Sequence, residues 1–326
     1  MTLRIISAAQ VRSLLPMADC ISVMESAMLA VSNNRVSVPP RQISPINTNN
    51  DLFGVMPGSS VELSTYGVKL FSLYPDNPAK GLPALQGLVT LFDHKSGTPI
   101  AIIDGAEITA IRTAAASGLA TQYLARDDAR TCGIIGTGVQ AIAHIDAMLA
   151  VRPVEEILIW GRDFGKAAAM AAAQSERTGL TVRATKALAE VGACDLVCTV
   201  TNSPAPILKG QYVKPGTHVN LVGAHSSTTR EADTDLIVKS AVYVDLLASV
   251  HNEGGDILIP IQEGALDKSK LVGEIGQLLR GDIAGRTDEA QITLYKSLGI
   301  VAQDLFAAEF VYTRAKAEDV GVCLTF

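Results

Sequence analysis

Apolar residues recur at two different periods along the chain, and the change of period divides it. Leu3-Arg-Ile-Ile6 reads as a short strand; apolar positions then return every three or four residues over Ala8–Leu15 and Asp19–Ser32, which predicts two helices. From Val38 to Ile103 the period shortens. Gly67–Tyr74, Leu88–Phe92 and Ile100–Ile103 are strand-like runs bounded by Pro and Gly, with Asp93–Pro99 as a hairpin-like turn, so an antiparallel or mixed sheet is expected. Glu107–Ala125 is a long alanine-rich helix ending at the polar turn Arg126–Arg130. A domain boundary is expected near that helix.

Beyond Arg130 strand and helix alternate. Thr131–Ile135, Glu156–Trp160, Thr181–Ala184, Leu196–Val200 and His218–Val222 read as strands, with helices running to Leu149, to about Arg177 and to Gly192. This spacing predicts parallel βαβ units. Ala241–Asp245 fits the same sheet, and Thr293–Ala317 reads as one last helix whose Ile300, Leu305 and Phe310 are suited to packing on the first domain.

Composition narrows the class. Of 326 residues 48% are hydrophobic and 18% charged, which excludes disordered and fibrous proteins. With 27 basic against 33 acidic side chains the net charge is −6, so nucleic acid is not expected as a partner. No apolar run reaches the roughly 18 to 20 residues of a bilayer span, and the segment after Ile6 is broken by Arg12, Pro16, Asp19 and Glu25, so neither a membrane span nor a signal peptide is expected. Five scattered cysteines suit a reducing, cytoplasmic setting. The close pair Cys194 and Cys198 lies at the apolar run Leu196–Val200 and reads as buried strand cysteine, and no metal site is expected.

The sharpest local signal is Thr131-Cys-Gly-Ile-Ile-Gly136-Thr137-Gly138-Val139-Gln140-Ala141, a strand running into G-x-G-x-x-A and a helix. Gly136 permits the tight turn, Gly138 lets backbone approach a pyrophosphate, and Ala141 keeps helix and strand close. The pyrophosphate then meets the amides and positive dipole end of the helix. About twenty residues on, where an acidic side chain would hold an adenosine ribose, the chain reads Trp160-Gly161-Arg162-Asp163. Gly161 leaves no carboxylate there and Arg162 can pair with a 2′-phosphate, so NADPH is favoured over NADH. The competing reading makes Asp163 the ribose ligand and Arg162 a solvated charge. Thr199 and Thr201 are either ligands of the ribose or nicotinamide or ordinary strand-end threonines.

Taken together, Pro39-Pro-Arg41, Gly67-Val-Lys69, Asp104–Ala114 with Ile108-Thr-Ala-Ile-Arg112-Thr113, Gly136–Gln140 and Tyr295-Lys-Ser297-Leu-Gly299 resemble the ornithine cyclodeaminase/mu-crystallin family, in order over nearly the whole chain. The resemblance implies an α/β chain: a Rossmann dinucleotide-binding domain over residues 119–301, and an α+β substrate-binding and dimerisation domain made of residues 1–118 together with 302–326. It further implies a homodimer with paired N-terminal sheets and a substrate cleft between domains. Arg41, Lys69 and Arg112 match the family's three carboxylate-binding basic residues, the lysine also being a candidate proton donor. Thr113 is implied at the cofactor phosphates or ribose and Ser297 by the nicotinamide.

Departures from the family pattern direct the activity. Ornithine cyclodeaminases carry an acidic residue near the strand that here reads Val55-Met56-Pro57, and an aspartate where this chain has His225. Without those carboxylates the δ-amine of ornithine lacks its partner. His225 reads either as a proton donor or as a strand-end histidine bonded to backbone. Leu85 stands where many relatives have histidine, and Val55, Met56 and Leu85 are expected to line a ring without a second charge. The expected reaction is NAD(P)H-dependent reduction of a small cyclic imino acid, Δ1-pyrroline-2-carboxylate to L-proline or Δ1-piperideine-2-carboxylate to L-pipecolate. Ornithine cyclodeaminase, alanine dehydrogenase and a non-catalytic NADPH-binding protein are the alternatives. Asp304 reads as a salt-bridged or solvated residue, and Asp256 has no assigned role.

Overall fold

The computed structural model describes residues 2–325 and divides into two compact units, Met1–Thr113 with Gly299–Phe326, and Ala114–Leu298. In the first unit β1 (Thr2–Ile6) leads into helices α1 (Ala8–Leu14) and α2 (Met17–Ser32). The strands β2 (Val36–Ser37), β3 (Gln42–Pro45), β4 (Leu52–Ser60), β5 (Thr65–Leu73), β6 (Leu85–Asp93) and β7 (Pro99–Asp104) follow, then α3 (Gly105–Leu124). The terminal segment Val322–Thr325, β1, β7, β6, β5, β4 and β2 form a mixed sheet in that order, with β3 also on β4. β1 and β7 are parallel and β4, β5 and β6 are an antiparallel meander. The C-terminal helix Val301–Ala317 lies on one face of β4, β5 and β6 and against α2.

Side-chain alternation decides what that face contains. Met56, Lys69 and Val89 sit directly opposite one another across β4, β5 and β6, all turned inward and buried. A lysine thus occupies a position that the period of two reserves for an apolar side chain. On the other face Phe53 and Leu88 remain exposed, Tyr66 stacks on Phe92 with ring centroids 5.4 Å apart, and a groove of about 380 Å³ runs past Pro39, Pro57, Val68 and Phe92.

The second unit holds the parallel strands β8 (Thr131–Ile135), β9 (Glu156–Trp160), β10 (Thr181–Ala184), β11 (Leu196–Thr199), β12 (His218–Leu221), β13 (Ser240–Val244), β14 (Gly273–Glu274) and β15 (Ile292–Lys296). Their order is β10-β9-β8-β11-β12-β15-β13-β14. Near-continuous apolar runs such as Ile157-Leu-Ile159 are what strands buried on both faces require. From β8 the chain winds outward through α4 (Val139–Val151), β9, α5 (Phe164–Thr178) and β10, then crosses back to β11 on the far side of β8. The order therefore reverses between β8 and β11, and the carboxyl ends of those strands are where ligands of open α/β sheets bind.

One predicted element is corrected. Thr293–Ala317 is not a single helix: Ile292–Lys296 is strand β15, paired in parallel with both β12 and β13, and helix begins only at Val301. Two flanking strands supply hydrogen-bond partners that helical propensity cannot outweigh. Gly299, at φ 76°, then turns the chain.

Candidate active site

In the first unit two cations from separate segments meet consecutive residues of the C-terminal helix, and a third meets the turn just before that helix. Lys69 Nζ, from β5, donates to Asp304 Oδ1 at 2.9 Å, and Arg112 Nε, from α3, donates to the same oxygen at 2.9 Å. Arg112 Nη1 donates to Gln303 Oε1 at 2.7 Å. Arg41 Nη2 donates to the carbonyl of Gly299 at 2.6 Å. Gly299 also makes room for Arg112: a Cβ at that position would lie 2.7 Å from Nη1 and 3.0 Å from Nη2, so a side chain there would displace the guanidinium.

Burial governs the electrostatics. The side chain of Asp304 is fully buried, and those of Lys69 and Arg112 are exposed by 3% and 6%. Removal from water pushes the Lys69 ammonium down; Asp304 pulls it back up while Arg112 and Arg41 lower it, leaving it at about 8. For Asp304 burial opposes ionisation, but Arg112 and Lys69 together outweigh it and hold the carboxyl below its usual range. Thr113 Oγ1, Gln303 Nε2 and Asp304 Oδ2 are buried with no hydrogen-bond partner among the described residues. Buried polar atoms of that kind are accounted for by a ligand or by water.

Of the apolar residues expected around a substrate ring, Met56 faces inward beside Lys69. Val55, one residue away on the same strand, points to the opposite face of the sheet by alternation, and Leu85 lies four residues, roughly 13 Å, along β6 from the Val89 that Lys69 opposes. Both are therefore corrected as neighbours of the cation cluster.

In the second unit the glycine loop has the geometry its spacing demands. Gly136 has φ 135°, and a Cβ there would come 2.7 Å from the Val200 carbonyl. Gly138 caps α4, and a Cβ on it would meet nothing within 4 Å, so the backbone is open to an incoming group. Val139, in the first turn, is 68% exposed. At the end of β9 a Cβ on Gly161 would strike Thr137 Cγ2 at 2.6 Å, which excludes a carboxylate side chain in the present geometry. Arg162 is exposed and forms no ion pair among the described residues. Asp163 is committed to capping α5, accepting from the Lys166 amide at 3.1 Å. Ser297, after β15, is buried with its hydroxyl unpartnered among the described residues. The open glycine cap, the missing acidic side chain and the orphaned hydroxyl fit a nicotinamide dinucleotide.

Thr199 and Thr201 have a partner that the sequence did not reveal. Glu231, fully buried, accepts from Thr199 Oγ1 at 2.8 Å, from the Thr201 amide and hydroxyl at 2.7 Å each, and from the Gly223 amide at 2.6 Å. Burial pushes its carboxyl above the usual range despite the Thr201 bond and the Lys296 charge, which pull it down. The threonine hydroxyls are thus spent on holding the ends of β11 and β12. Asp256 Oδ1 accepts from the Glu231 and Ala232 amides, and Oδ2 faces Lys296 Nζ at 2.9 Å. His225 is exposed, and its Nδ1 lies 2.9 Å from the Gly223 carbonyl, which accepts the proton. His225 belongs to the second unit, and the Nδ1 bond leaves its Nε2 outside this pairing. No group of three His, Cys, Asp or Glu side chains among the described residues is arranged to hold a metal.

Sequence reasoning missed Gln303, Gly299 and Glu231 as parts of these sites and left Asp304 between two readings. The available signal was a Gln-Asp pair inside the otherwise apolar run Ile300–Ala308.

The model of the ornithine cyclodeaminase/mu-crystallin family matches residues 2–319. The Δ1-pyrroline-2-carboxylate reductase of Bacillus cereus is 34% identical over 324 residues, covering 99% of this chain and 99% of that protein. The structure of Thermococcus litoralis Δ1-pyrroline-2-carboxylate reductase in complex with NADH and L-proline is similar with a TM-score of 0.95 at 35% identity, covering 98% of this chain and 99% of the other. An archaeal alanine dehydrogenase, a dimer with bound NAD, is similar with a TM-score of 0.93 at 28% identity, with full coverage of both chains.

Proposed function

The chain belongs to the ornithine cyclodeaminase/mu-crystallin family, and from that premise we propose that it is a nicotinamide-dependent reductase of small cyclic ketimines, converting Δ1-pyrroline-2-carboxylate to L-proline. The observation that carries this reading is the gathering of Arg41, Lys69 and Arg112 around Gly299 and Asp304 with an apolar residue, Met56, beside the lysine. One carboxylate can be held there, and no acidic side chain waits for a second amine at Met56 or His225. The relatives that carry the name of this reaction support the assignment.

The bound cofactor supplies hydride to the imine carbon. Gly136, Gly138 and the start of α4 would hold its pyrophosphate, and Thr113 and Ser297 carry hydroxyls for its ribose, phosphate or amide groups. Arg112 and Arg41 fix the substrate carboxylate, so the ring is presented in one orientation. Lys69 Nζ keeps its proton near neutral pH and delivers it to the ring nitrogen as that atom gains its electron pair. The product is then a neutral secondary amine, which takes a further proton from water. Burial strengthens each of these charge interactions and removes the need to reorganise solvent.

Relatives with NADH and NAD bound support a nicotinamide cofactor. Gly161 and the exposed Arg162 support a preference for NADPH over NADH in this chain. The apolar outer face of the first unit's sheet, with Phe53, Leu88 and the Tyr66–Phe92 pair, supports pairing of two such sheets in a homodimer. No single helix among the described residues is long and apolar enough to cross a membrane.

Loss of absorbance at 340 nm tests the proposal. Purified protein is given NADPH or NADH with Δ1-pyrroline-2-carboxylate, and separately with pyruvate plus ammonia. Rapid oxidation with the cyclic imine alone is the expected result; turnover confined to pyruvate plus ammonia would overturn it in favour of an alanine dehydrogenase.

A further inference from the structure

Asp304 is the one carboxylate in the cation cluster, and nothing in the reduction as derived above consumes it. Its Oδ1 receives both Lys69 Nζ and Arg112 Nε at 2.9 Å, while its side chain is fully buried. Gln303, its neighbour on the helix, takes Arg112 Nη1 at 2.7 Å. These two acceptors use the Nε edge and one Nη1 proton of the guanidinium, which leaves Nη2 and the second Nη1 proton for a ligand. One Lys69 proton is likewise used and two are left. We propose that Asp304 is a positioning residue for the reduction, acting as the buried counter-ion that aims the remaining donors of Lys69 and Arg112 and keeps the lysine charged for its work on the imine.

The surroundings make Asp304 the only candidate for that role among the described residues facing Lys69. α3 contributes Arg112 and the segment before β3 contributes Arg41, both cationic, and both lower the lysine. The opposite residues on β4 and β6 are Met56 and Val89. On β5 itself the Phe71 ring lies 5.8 Å from Nζ. On α2, Cys20 feels Arg112, but burial pushes its thiol up and keeps it neutral. Glu309 on the C-terminal helix is engaged with Ser64 and Thr65 at the start of β5. With Asp304 neutralised, burial and two arginines would act on Lys69 unopposed, and its proton would leave at lower pH.

This inference rests on the reductase reading, so its test includes a measurement that does not need turnover. The titration of Lys69 Nζ is followed by 15N NMR in the ligand-free protein, wild type and Asp304→Asn, with Lys69→Met to assign the signal. The expected midpoint is about 8 in wild type and lower by about one pH unit or more in Asp304→Asn. In parallel, the pH dependence of kcat/KM for Δ1-pyrroline-2-carboxylate is recorded. Its alkaline limb is expected to move down with the midpoint, so that Asp304→Asn recovers activity toward pH 6 and loses most at pH 8. Asp304→Glu, which keeps the charge, is expected to keep the midpoint near that of wild type even where turnover falls. An unmoved midpoint in Asp304→Asn, or a loss of activity equal at every pH, overturns the inference. Absence of turnover in wild type with a midpoint that still shifts overturns the reductase reading instead and leaves the counter-ion role supported.

Discussion

At the start of α4 an anion would meet backbone: Gly138 is open on its Cβ side, the adjoining Val139 is 68% exposed, and attraction comes from amides and the helix dipole. In the first unit an anion would meet side chains whose charges are already buried, Lys69 and Arg112 sharing one oxygen of a carboxylate that has no contact with water. The two regions therefore differ in cost. Amides at a helix end carry only partial charges and stay hydrated until a ligand arrives, whereas two cations and an anion withdrawn from water are stable only while they remain paired. Recognition by backbone tolerates side-chain change around it. Recognition by a buried ion cluster does not, because removing one member strands the others.

Substitutions sharpen this contrast. The largest effect is expected for Lys69→Ala, which on the proposed mechanism would remove a carboxylate ligand and the proton donor together. Turnover should fall by roughly a thousandfold while NADH affinity, read by quenching of its fluorescence, stays within about threefold; equal loss of both would show that Lys69 belongs to the cofactor region. Gly299→Ala comes next. It places a Cβ against the Arg112 guanidinium and strains a residue at φ 76°, so about 2 kcal/mol of stability and roughly a hundredfold in turnover should be lost, measured by urea unfolding and by kcat/KM. Gly138→Ala probes the other region and should separate binding from folding. Since the added Cβ meets nothing within 4 Å of protein, the urea midpoint should not move, yet NADH should bind about tenfold more weakly because the methyl group would stand in the proposed path of the pyrophosphate. The smallest effect is expected for Arg162→Ala, a several-fold weaker affinity for NADPH with NADH unchanged; the same response from both cofactors would remove the 2′-phosphate from the account.

The same contrast explains how much could be read without coordinates. Gly136, Gly138 and Ala141 lie within six residues, their roles are set by local backbone geometry, and the strand-turn-helix around them is written in hydrophobic period and glycine spacing. The alternating βαβ pattern was equally legible, as were strands β5, β6 and β7. Residues 293–296 were not. Their pattern serves a helix as well as a buried strand, and only the presence of β12 and β13 on either side decides between them. Val55 and Met56 are equally apolar in sequence, but alternation sends one to each face of the sheet, and only pairing with β5 shows that Met56 shares the side of Lys69.

By itself, then, the sequence determined the class of fold, the glycine loop and the three basic residues that the structure gathers near Gly299 and Asp304, because each rests on short-range spacing or on a set of motifs that can be matched in order. Tertiary structure alone decided what those cations are paired with. Lys69, Arg112 and Asp304 are separated by 43 and 192 positions, and nothing in local spacing says that one oxygen will serve two of them. The reason is physical: a charge can be buried only where an opposite charge is brought to it, and that partner is supplied by packing the C-terminal helix on the meander. The same holds for Glu231, whose four hydrogen bonds gather the ends of β11 and β12 and exist only once those strands lie side by side.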